Sequence, residues 1–567
     1  MQKVSPSAAL AICAATFVSL FTACSSDDNT EVSEFDVFGA TIDASSADEQ
    51  SADPANVPQP PLLTCPPESW CSTLYPPGAP LMTAPDAEGR FVHDFSFAGY
   101  RYGQAPPATP HGATYVVTER GADATGQRDA TGAVQQAIDA ARAAGGGVVW
   151  FPPGTYRIDG QLAVTSSGIV LRGSGASSVL RFTKARGLAH SANITVSGTV
   201  VAERARPLAI DAAIGTREVL LDDASGLAAG DDVSVGWTIT DAFTAEHGMT
   251  GTWTAFSGQY KPIFKRTVVA VDTSTSPNRV VLDVPLRYPA KMRDGAALEK
   301  ESGYVREIGI EHLAVTNAVA SDAAWAEDRV SLLALRDVAD AWVADVHSVS
   351  VDGSPVHLRS GGVLIENAKR VSVLHTSMSS PQNRGSGGNG YLFEVSRTSE
   401  VLIADSTATG GRHNFIQNWG FGNSGTVFLR CTSTGSEMLS LIGGKLTPEP
   451  AVSEHHHSLA MATLVDGSHF DDGFAIENRG TYSTGAGHTG TGSMIWRASG
   501  KGTITSKQYG WGYVIGTSSD LKVDTSLAGS TGAGTAPEDF VEGLGKAETL
   551  FPASLYEHQR ARRLTAQ

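Results

Sequence analysis

The chain has 567 residues, of which 42 are Lys or Arg and 59 are Asp or Glu, giving a formal net charge of −17. This acidic balance argues against nucleic-acid binding, which needs a concentrated basic surface. The length exceeds what one globular core supports, so we expect a modular or elongated architecture.

The first 23 residues have the pattern of an export signal. Lys3 supplies the initial positive charge, and residues 8–20 form an apolar stretch too short to span a membrane as a helix. Residues 21–24, Phe-Thr-Ala-Cys, resemble a bacterial lipobox, which predicts cleavage after residue 23 and lipidation of Cys24. Ordinary signal cleavage is the alternative, because Phe21 is unusual at its position.

Residues 24–60 are predicted to form a disordered acidic tether. Between 25 and 59 there are nine acidic residues and no basic ones, so this stretch has too little apolar surface to fold. The expected location is the bacterial cell envelope, with the lipid at Cys24 as the contact with the membrane. Ser25 after the cysteine favours the outer membrane by the usual sorting rule. The oligomeric state stays open.

The remaining cysteines fit an exported protein. Residues 61–114 form an N-terminal extension rich in Pro and Gly, in which Cys65 and Cys71 flank a loop short enough for a disulfide. Cys431 ends the apolar run 427–431 and is predicted to be a buried thiol. The sequence has no zinc-ligand spacing, so no metal site is predicted from it.

Residues 122–182 contain the most diagnostic succession of elements. Val134, Ile138 and Ala141 recur at helical spacing, and three glycines at 145–147 end the predicted helix. An apolar run at 148–151 then predicts a buried strand, followed by a Pro-Pro-Gly turn. Further short β-rich runs follow, each closed by glycine.

This succession closely resembles the opening of the pectate-lyase-like right-handed parallel β-helices, a group that contains rhamnogalacturonases, polygalacturonases and epimerase-like proteins. The resemblance implies that the helix caps the first coil, within residues 115–208, and that the protein acts on a polysaccharide. The expected fold class is all-β, a right-handed parallel β-helix (solenoid) with an N-terminal capping helix.

Residues 209–302 have a different rhythm. Four runs, at 219–221, 232–235, 268–271 and 280–283, alternate apolar and polar residues and predict antiparallel strands with exposed faces. We therefore expect a small antiparallel β insertion that interrupts the coils.

The coil pattern returns over residues 303–530. Apolar-x-apolar segments that begin at Trp342, Val371, Val401 and Val427 recur every 26 to 30 residues. Such a period is typical of stacked solenoid coils, each of which buries its inner face against its neighbours. The tail, residues 531–567, is predicted to cover the last coil with a helical segment at 552–564.

The motif most suggestive of hydrolysis is Asp471-Asp472 with a Gly-His dipeptide at 487–488. Glycosidic hydrolysis needs one carboxyl as an acid and a second as a base or nucleophile. The motif is similar to the Asp-Asp and Gly-His-Gly elements of polygalacturonases and rhamnogalacturonases, which implies Asp471 and Asp472 as acid and base and His488 as their positioning residue. Thr489 replaces the last glycine, and the Asn-Thr-Asp and Arg-Ile-Lys elements are missing. A solvated turn is the alternative.

A second set of residues suggests β-elimination from a uronate, which needs a base and a group that neutralises the carboxylate. The candidates are Arg412, His413, Lys445, His457, Arg479 and Tyr509, with Arg412, His413, His457 or Tyr509 as the base. The alternative for Arg412 and Arg479 is a structural ion pair with Glu437 or Glu477.

Spacing predicts a column of ionisable side chains. His413, Glu437, His457 and Glu477 are separated by 24, 20 and 20 residues, about one coil per step, and could line up on one face. The three consecutive histidines at 455–457 lack metal-ligand spacing, so they are predicted to lie in a surface loop with His457 facing the groove.

Trp419 and Trp511 are predicted sugar platforms, whereas Trp496 is assigned to a strand core. Lys445, Glu477 and Arg479 complete the predicted substrate-binding set. No cofactor is required; calcium is possible because many related lyases use it, although no contiguous acidic ligand loop is visible.

The sequence therefore predicts an extracytoplasmic enzyme that cleaves a polysaccharide in a groove along the β-helix, with hydrolysis as the leading reaction. The alternatives are a polysaccharide lyase, an epimerase that shares the lyase residues, and a non-catalytic glycan-binding adhesin. The expected partner is the polysaccharide itself.

Overall fold

The structure is a computed structural model, and it describes residues 64–443, 445–528 and 536–566. The predicted export signal, the predicted lipidation site Cys24 and the predicted acidic tether lie outside the described residues. Within the described ranges, no helix combines the length and the apolar character that crossing a membrane requires.

The capping helix predicted from the sequence is confirmed as Thr131–Ala143. Its buried residues are Val134, Ala137, Ile138 and Ala141, which occupy one face and join the core of the first coils. Because the open end of a solenoid would otherwise expose its interior, an amphipathic helix at this place closes the core.

Three parallel sheets run along the β-helix, and each coil contributes a strand to most of them. The first sheet contains Thr114–Val116, Gly147–Trp150, Ile169–Phe182, Val305–Thr316, Val338–Ser348, Lys369–Leu374, Leu402–Ala404, Val427–Leu429, Leu464–Asp466, Met494–Ala498, Tyr513–Thr517 and Phe540–Glu542. The second sheet contains Thr125–Asp129, Gly154–Ile158, the carboxyl ends of the three long strands, Ser377–Ser379, Thr407–Thr409, Thr432–Thr434 and His469–Phe470. The third sheet contains Leu162–Val164, Ala192–Ser197, Ser331–Arg336, Gly361–Glu366, Tyr391–Ser396, His413–Gln417, Ser453–His455, Phe474–Ile476, Thr503–Ser506 and Lys522–Asp524.

The repeats seen in the sequence stack as predicted, which confirms the parallel β-helix. In the first sheet Val343 pairs with Val373, Val373 with Ile403, and Ile403 with Phe428. These side chains point inward and belong to one continuous core that extends from Val117 to Leu521. The tail also contributes to this stack, because Phe540–Glu542 adds a last strand to the first sheet.

The antiparallel insertion is confirmed as a seven-stranded sheet. Its strands are Val201–Ala202, Arg206–Pro207, Glu218–Leu221, Asp232–Thr238, Tyr260–Asp272, Asn278–Leu282 and Ala297–Ser302. The first two strands precede the predicted start of the insertion because they are short and exposed, so they lack the alternation that identifies a half-buried strand. The core of the insertion includes Trp237 and Trp253 and continues into Phe421, Leu459 and Met461 of the coils.

The N-terminal extension and the C-terminal helix cover the outer face of the first sheet. Cys65 and Cys71 form a disulfide, and strand Trp70–Cys71 pairs with Leu550–Phe551. Phe95 of the extension and Leu555 of the helix Leu555–Thr565 pack in one cluster with outward side chains of the first sheet. The outer face of the first sheet is therefore occupied, whereas the third sheet carries an open groove.

The other helical segments are Tyr100–Gly103, Asp241–Glu246, Ser321–Trp325 and Tyr482–Gly485.

Docking of the C-terminal helix depends on a buried carboxyl group. Asp466 is fully buried and its Oδ2 accepts hydrogen bonds from Ser554 Oγ (2.7 Å) and from the Tyr556 backbone N–H (2.8 Å). Burial raises the pKa of Asp466 to about 7, although these hydrogen bonds oppose the shift. At pH values between the pKa of Asp466 in the unfolded chain and about 7, the carboxyl is therefore protonated in the folded protein but ionised in the unfolded chain.

We expect the Asp466 carboxyl to make the fold less stable as the pH rises. Its contribution is fully present below the unfolded pKa and is lost as pH rises through about 7, a change of about 4 kcal/mol. Asp466→Asn should remove this pH dependence. The free energy of unfolding of the variant, measured in urea, should therefore rise relative to that of the wild type as the pH rises. Asp520→Asn, at an exposed position, is the control. A constant difference between pH 4.5 and 8 would contradict the assignment.

Candidate functional site

A groove opens on the outer face of the third sheet. It consists of two adjoining cavities of about 420 and 200 Å³, which share His190, Arg329, Gly388, Tyr391 and Trp419 among their lining residues. Loops around Ser386 and Ser483 form part of the wall of the larger cavity. Because the two cavities share five lining residues, they form one continuous depression on the sheet.

Strand alternation places the polar side chains of the groove. In Tyr391–Ser396, Phe393 and Val395 enter the core, so Glu394 between them faces outward into the groove. Glu394 pairs in register with Ile416 of the next coil, and Ile416 with Glu454 of the coil after it. The two carboxylates therefore lie in one outward column of the sheet.

Glu454 organises a buried polar cluster with His456 and Arg479. His456 Nδ1 hydrogen-bonds Glu454 Oε1, and Arg479 Nη1 donates to the His456 carbonyl oxygen at 2.8 Å. Burial alone would raise the pKa of the Glu454 carboxyl, but the facing rings of His413 and His456 and the guanidinium of Arg479 hold it well below its usual range. The carboxylate is therefore charged and fixes the orientation of the His456 ring.

The ring of His456 presents its other nitrogen to the groove wall. Nε2 lies 3.3 Å from Ser483 Oγ, and both residues line the larger cavity. Burial lowers the pKa of His456 below its ordinary value, although the bond to Glu454 opposes this shift. The imidazole is therefore neutral near pH 7, and in the tautomer whose Nδ1–H donates to Glu454 it can accept a proton at Nε2.

His413 lies behind this pair. Its Nδ1 donates to the Val452 carbonyl oxygen at 2.6 Å, and its Nε2 is 3.4 Å from Glu454 Oε1 without a hydrogen-bond partner. Burial lowers the pKa of His413 to about 4. His413 is thus part of the cluster, as the wall behind Glu454 rather than as a group that faces the groove.

These three residues also place possible metal-ligand atoms close together. One atom each of His413, Glu454 and His456 lies within 4.8 Å of the others. Arg479 Nη1 is 2.7 Å from His456 Nδ1 and 3.5 Å from Glu454 Oε1, so a guanidinium already supplies the positive charge there. Calcium prefers about six to eight oxygen ligands, and this donor set does not fit it.

Arg412 is the cation of the groove that remains available to a ligand. Its Nη1 donates to the Gly385 carbonyl oxygen at 3.1 Å, and its Cζ lies 5.9 Å from the centre of the Tyr391 ring. Among the described residues, no carboxylate lies within 4.0 Å of its guanidinium, and the predicted alternative pairing with Glu437 or Glu477 is not formed. Glu437 instead pairs with Arg384. An anionic group in the groove would therefore find an uncompensated guanidinium.

Trp419, which the sequence predicts to be a sugar platform, presents an exposed ring to the groove. Its side chain is 43% exposed, and its φ of 33° is a left-handed backbone conformation that is strained for a bulky residue. The ring rests on His457, at 4.4 Å between centroids, and on Phe256 of the insertion at 6.1 Å. The prediction that His457 faces the groove is wrong, because His457 is fully buried beneath Trp419. Its ring packs against the Trp419 ring and supports it.

The predicted hydrolytic motif is not assembled. Asp471 and Asp472 precede the third-sheet strand Phe474–Ile476, whereas His488 bridges to Asn478 beyond the other end of that strand, so the strand lies between them. Asp472 Oδ2 accepts hydrogen bonds from Asn414 Nδ2 (3.0 Å) and the Ser436 backbone (2.9 Å), and Asp471 pairs with His469. Asp471 and Asp472 therefore hold a turn between coils.

His488 and Tyr509 face the insertion. His488 Nε2 lies 3.1 Å from the His247 carbonyl oxygen, and the Tyr509 hydroxyl donates to the Glu246 carbonyl oxygen at 3.2 Å. The Tyr509 ring packs on both His247 and His488, at 4.3 and 5.2 Å. These contacts join the insertion to the coils and do not line the groove cavities.

The other predicted substrate-binding residues are scattered. Trp511 donates from Nε1 to the Glu88 carbonyl oxygen of the N-terminal extension, and Lys445 lies exposed in a hairpin formed by Glu437–Ile442 and Lys445–Pro450. Glu477 is half-buried at the end of its strand, where burial raises its pKa. The predicted column of His413, Glu437, His457 and Glu477 is wrong, because the register aligns Ile416, Glu454 and Ala475 instead.

The sequence prediction missed the central residues of the groove. The predicted surface loop at 455–457 is wrong, since all three histidines are buried, and His456 rather than His457 reaches the cavity. Tyr391 and Glu394 belong to none of the motifs from which the site was predicted. The available signal was local: Glu454 and His456 are two residues apart, so they share one face of an extended segment. Cys431 is a buried thiol and Trp496 lies in a strand core, as predicted.

Comparisons with known proteins agree with the fold. Residues 115–228 match a family model described as rhamnogalacturonase A/epimerase, pectate lyase-like. A segment of 58 residues is 41% identical to alginate lyase 7 of Azotobacter vinelandii; the match covers 10% of this chain and 7% of that protein. The chain thus spans less than a tenth of the length of this curated relative.

Similar solved structures include the tailspike gp61 of Pseudomonas phage phi297, with 13% identity and a TM-score of 0.44 over 76% of this chain and 72% of that chain. Another is the A-module of mannuronan C-5 epimerase AlgE6 from Azotobacter vinelandii, with 13% identity and a TM-score of 0.30 over 76% of this chain and 98% of that chain. Together, the family match over residues 115–228 and the stacked parallel sheets agree with the resemblance inferred from the sequence: the chain folds as a parallel β-helix whose first coils are similar to the pectate-lyase-like family.

Proposed function

We propose that this protein is a polysaccharide lyase that abstracts a proton from a uronate unit in the groove of the third sheet. The observation that carries the proposal is the neutral His456 ring, oriented by Glu454, in the same groove as the unpaired Arg412 guanidinium. Polysaccharide as the substrate class is supported by the rhamnogalacturonase/epimerase family match and by the short match to alginate lyase 7.

The reaction assigns one role to each of three groups. His456 Nε2 takes the proton from C5 of the uronate, and the electron pair forms the C4–C5 double bond as the C4–O bond breaks. Arg412 neutralises the carboxylate and stabilises the charge that develops on it. Burial raises the pKa of Tyr391 to about 12, so its phenol stays protonated and donates a proton to the leaving oxygen.

A second candidate, hydrolysis, is favoured by the register of two carboxyl groups. Glu394 and Glu454 are two strands apart, roughly 9.6 Å, close to the separation of about 6.5–9.5 Å in inverting glycosidases. Burial raises the pKa of Glu394, whereas the pKa of Glu454 is lowered, as an acid and a base require. Glu394 already accepts hydrogen bonds from Arg329 and Asn418, both at 2.7 Å, which disfavours it as a free acid.

Product analysis separates these reactions. The mature chain is incubated with alginate, polygalacturonate and glucuronate-containing glycans, and the products are followed by near-ultraviolet absorbance, reducing ends and mass. We expect an absorbing unsaturated product, lighter by one water than the hydrolytic product. New reducing ends without absorbance would instead support Glu394 and hydrolysis. Exchange of the C5 proton at constant chain length would indicate epimerisation, and binding without any product would indicate an adhesin.

We further propose that the protein works outside the cytoplasm, held at the outer membrane through a lipid on Cys24. The disulfide between Cys65 and Cys71 supports an oxidising compartment. A tether between the lipid and the first described residues would let the groove reach polymer chains near the membrane.

A further inference from the structure

A second cavity lies over the first sheet, away from the groove. Its volume is about 430 Å³, and it forms where the N-terminal extension, the antiparallel insertion and the C-terminal helix meet. The lining residues are Leu81, Asp94, Phe97, Tyr102, Arg217, Val269, Asp283, Pro285 and Arg563. Its size falls within the range of about 300–1,000 Å³ that small-molecule sites occupy.

One wall of this cavity is aromatic and rigid. The rings of Phe97 and Tyr102 meet edge to face at 6.3 Å between centroids. The Tyr102 hydroxyl donates to Asp283 Oδ2 at 3.0 Å, and the Arg370 guanidinium lies 4.8 Å from the Tyr102 ring centre. Arg101 and Tyr102 both have left-handed φ values, 41° and 61°, a strained arrangement that binding sites often contain.

The charged groups of the cavity are only partly compensated. Asp283 is 7% exposed and pairs with Arg370 at 3.2 Å. Asp94 is 6% exposed and accepts a hydrogen bond from the Ser96 backbone, but no basic group of the described residues lies within 4.0 Å of its carboxylate. Arg217, at the exposed rim, donates from Nε to the Leu282 carbonyl oxygen and, within the described ranges, has no carboxylate within 4.0 Å.

We propose that this cavity binds a single uronic acid unit, at a site separate from the groove. The Arg217 guanidinium receives the sugar carboxylate, the Asp94 carboxylate accepts hydrogen bonds from the hydroxyls, and the Phe97 and Tyr102 rings pack against the C–H face. No residue that lines the groove cavities lines this one, so the two sites are tested independently.

The test is calorimetric titration of the mature chain with sodium glucuronate, with methyl glucoside as the neutral probe. We expect one glucuronate per chain at this site and binding at least about tenfold weaker for methyl glucoside and for Arg217→Gln. Arg204→Gln, on the same insertion and 81% exposed in its side chain, is the matched control and should bind normally. Arg217→Lys, which keeps the charge but loses the planar fork, should bind with intermediate affinity.

The groove is removed from the measurement by repeating the titration on Arg412→Gln, which loses the carboxylate-binding group of the groove and should retain the glucuronate site. Binding that disappears in Arg412→Gln but survives in Arg217→Gln would overturn the cavity proposal and leave the groove proposal intact. Absence of binding to the wild type, or equal affinity for methyl glucoside, would also overturn it. If the wild type bound glucuronate at this site but showed no lyase activity on any polymer, only the proposed function would be contradicted. Unfolding midpoints of all variants verify that each is folded.

Discussion

Replacing His456 by alanine is expected to lower kcat on the processed polyuronate by about 10²–10⁴-fold, the usual contribution of a general base. The ring is the neutral imidazole of the groove, and Glu454 holds its Nδ1 so that Nε2 is directed to the cavity wall. The effect should fall on kcat with little change in KM, because Arg412 and Trp419 still bind the substrate. Initial rates of product formation at saturating polymer measure it.

Two further variants make this prediction specific to the site. Glu454→Gln keeps the shape of the side chain but removes its charge, so it should lower kcat and move the pH profile of the His456 titration. His469→Gln replaces another histidine of the coils, which is 42% exposed on a second-sheet strand, and should leave the rate unchanged. Wild-type turnover in His456→Ala would refute the assignment of the base, and an equal loss in His469→Gln would indicate a general effect on folding.

The fold was predictable because its signals are local and repeated. The helical spacing of Val134, Ile138 and Ala141, the glycines that end it and the recurrence of apolar segments each follow from stacking one coil on the next. The insertion was predictable for the same reason, since alternation distinguishes its half-buried strands from the fully buried strands of the coils.

The site was only partly predictable because loop length changes the spacing between coils. The hairpin formed by Glu437–Ile442 and Lys445–Pro450 lengthens one coil, so counting 20 or 24 residues no longer leads to a stacked neighbour. The predicted candidates lie in the coils that carry the groove. They therefore include four residues of the groove or of the polar cluster beside it: Arg412, His413, Trp419 and Arg479. Asp472 and His488 were misassigned because adjacent motifs can lie at opposite ends of one strand. Nor does local pattern reveal that distant chain ends cover the first sheet.

Removing the Glu400 carboxylate is expected to destabilise the junction between the insertion and the coils by about 3–5 kcal/mol. Glu400 is 1% exposed and accepts hydrogen bonds from Arg287 Nη2 at 2.8 Å and Arg287 Nε at 3.3 Å, while Arg266 Nη2 lies 3.6 Å away. Both arginines come from the insertion and are fully buried. Glu400→Ala therefore leaves two buried guanidinium groups without their shared counter-charge.

Urea unfolding of Glu400→Ala against Glu218→Ala measures this effect. Glu218 pairs with Arg279 at 2.7 Å, but both side chains are more than 40% exposed, so its loss should cost less than about 1 kcal/mol. The double variant Glu400→Leu with Arg287→Met should recover part of the loss, because an apolar pair avoids burying an isolated charge. If Glu400→Ala were no worse than Glu218→Ala, the buried ion pairs would not be what fixes the insertion on the coils. Its packing through Phe421, Leu459 and Met461 would then be sufficient, and the wall that supports Trp419 would depend on apolar contact alone.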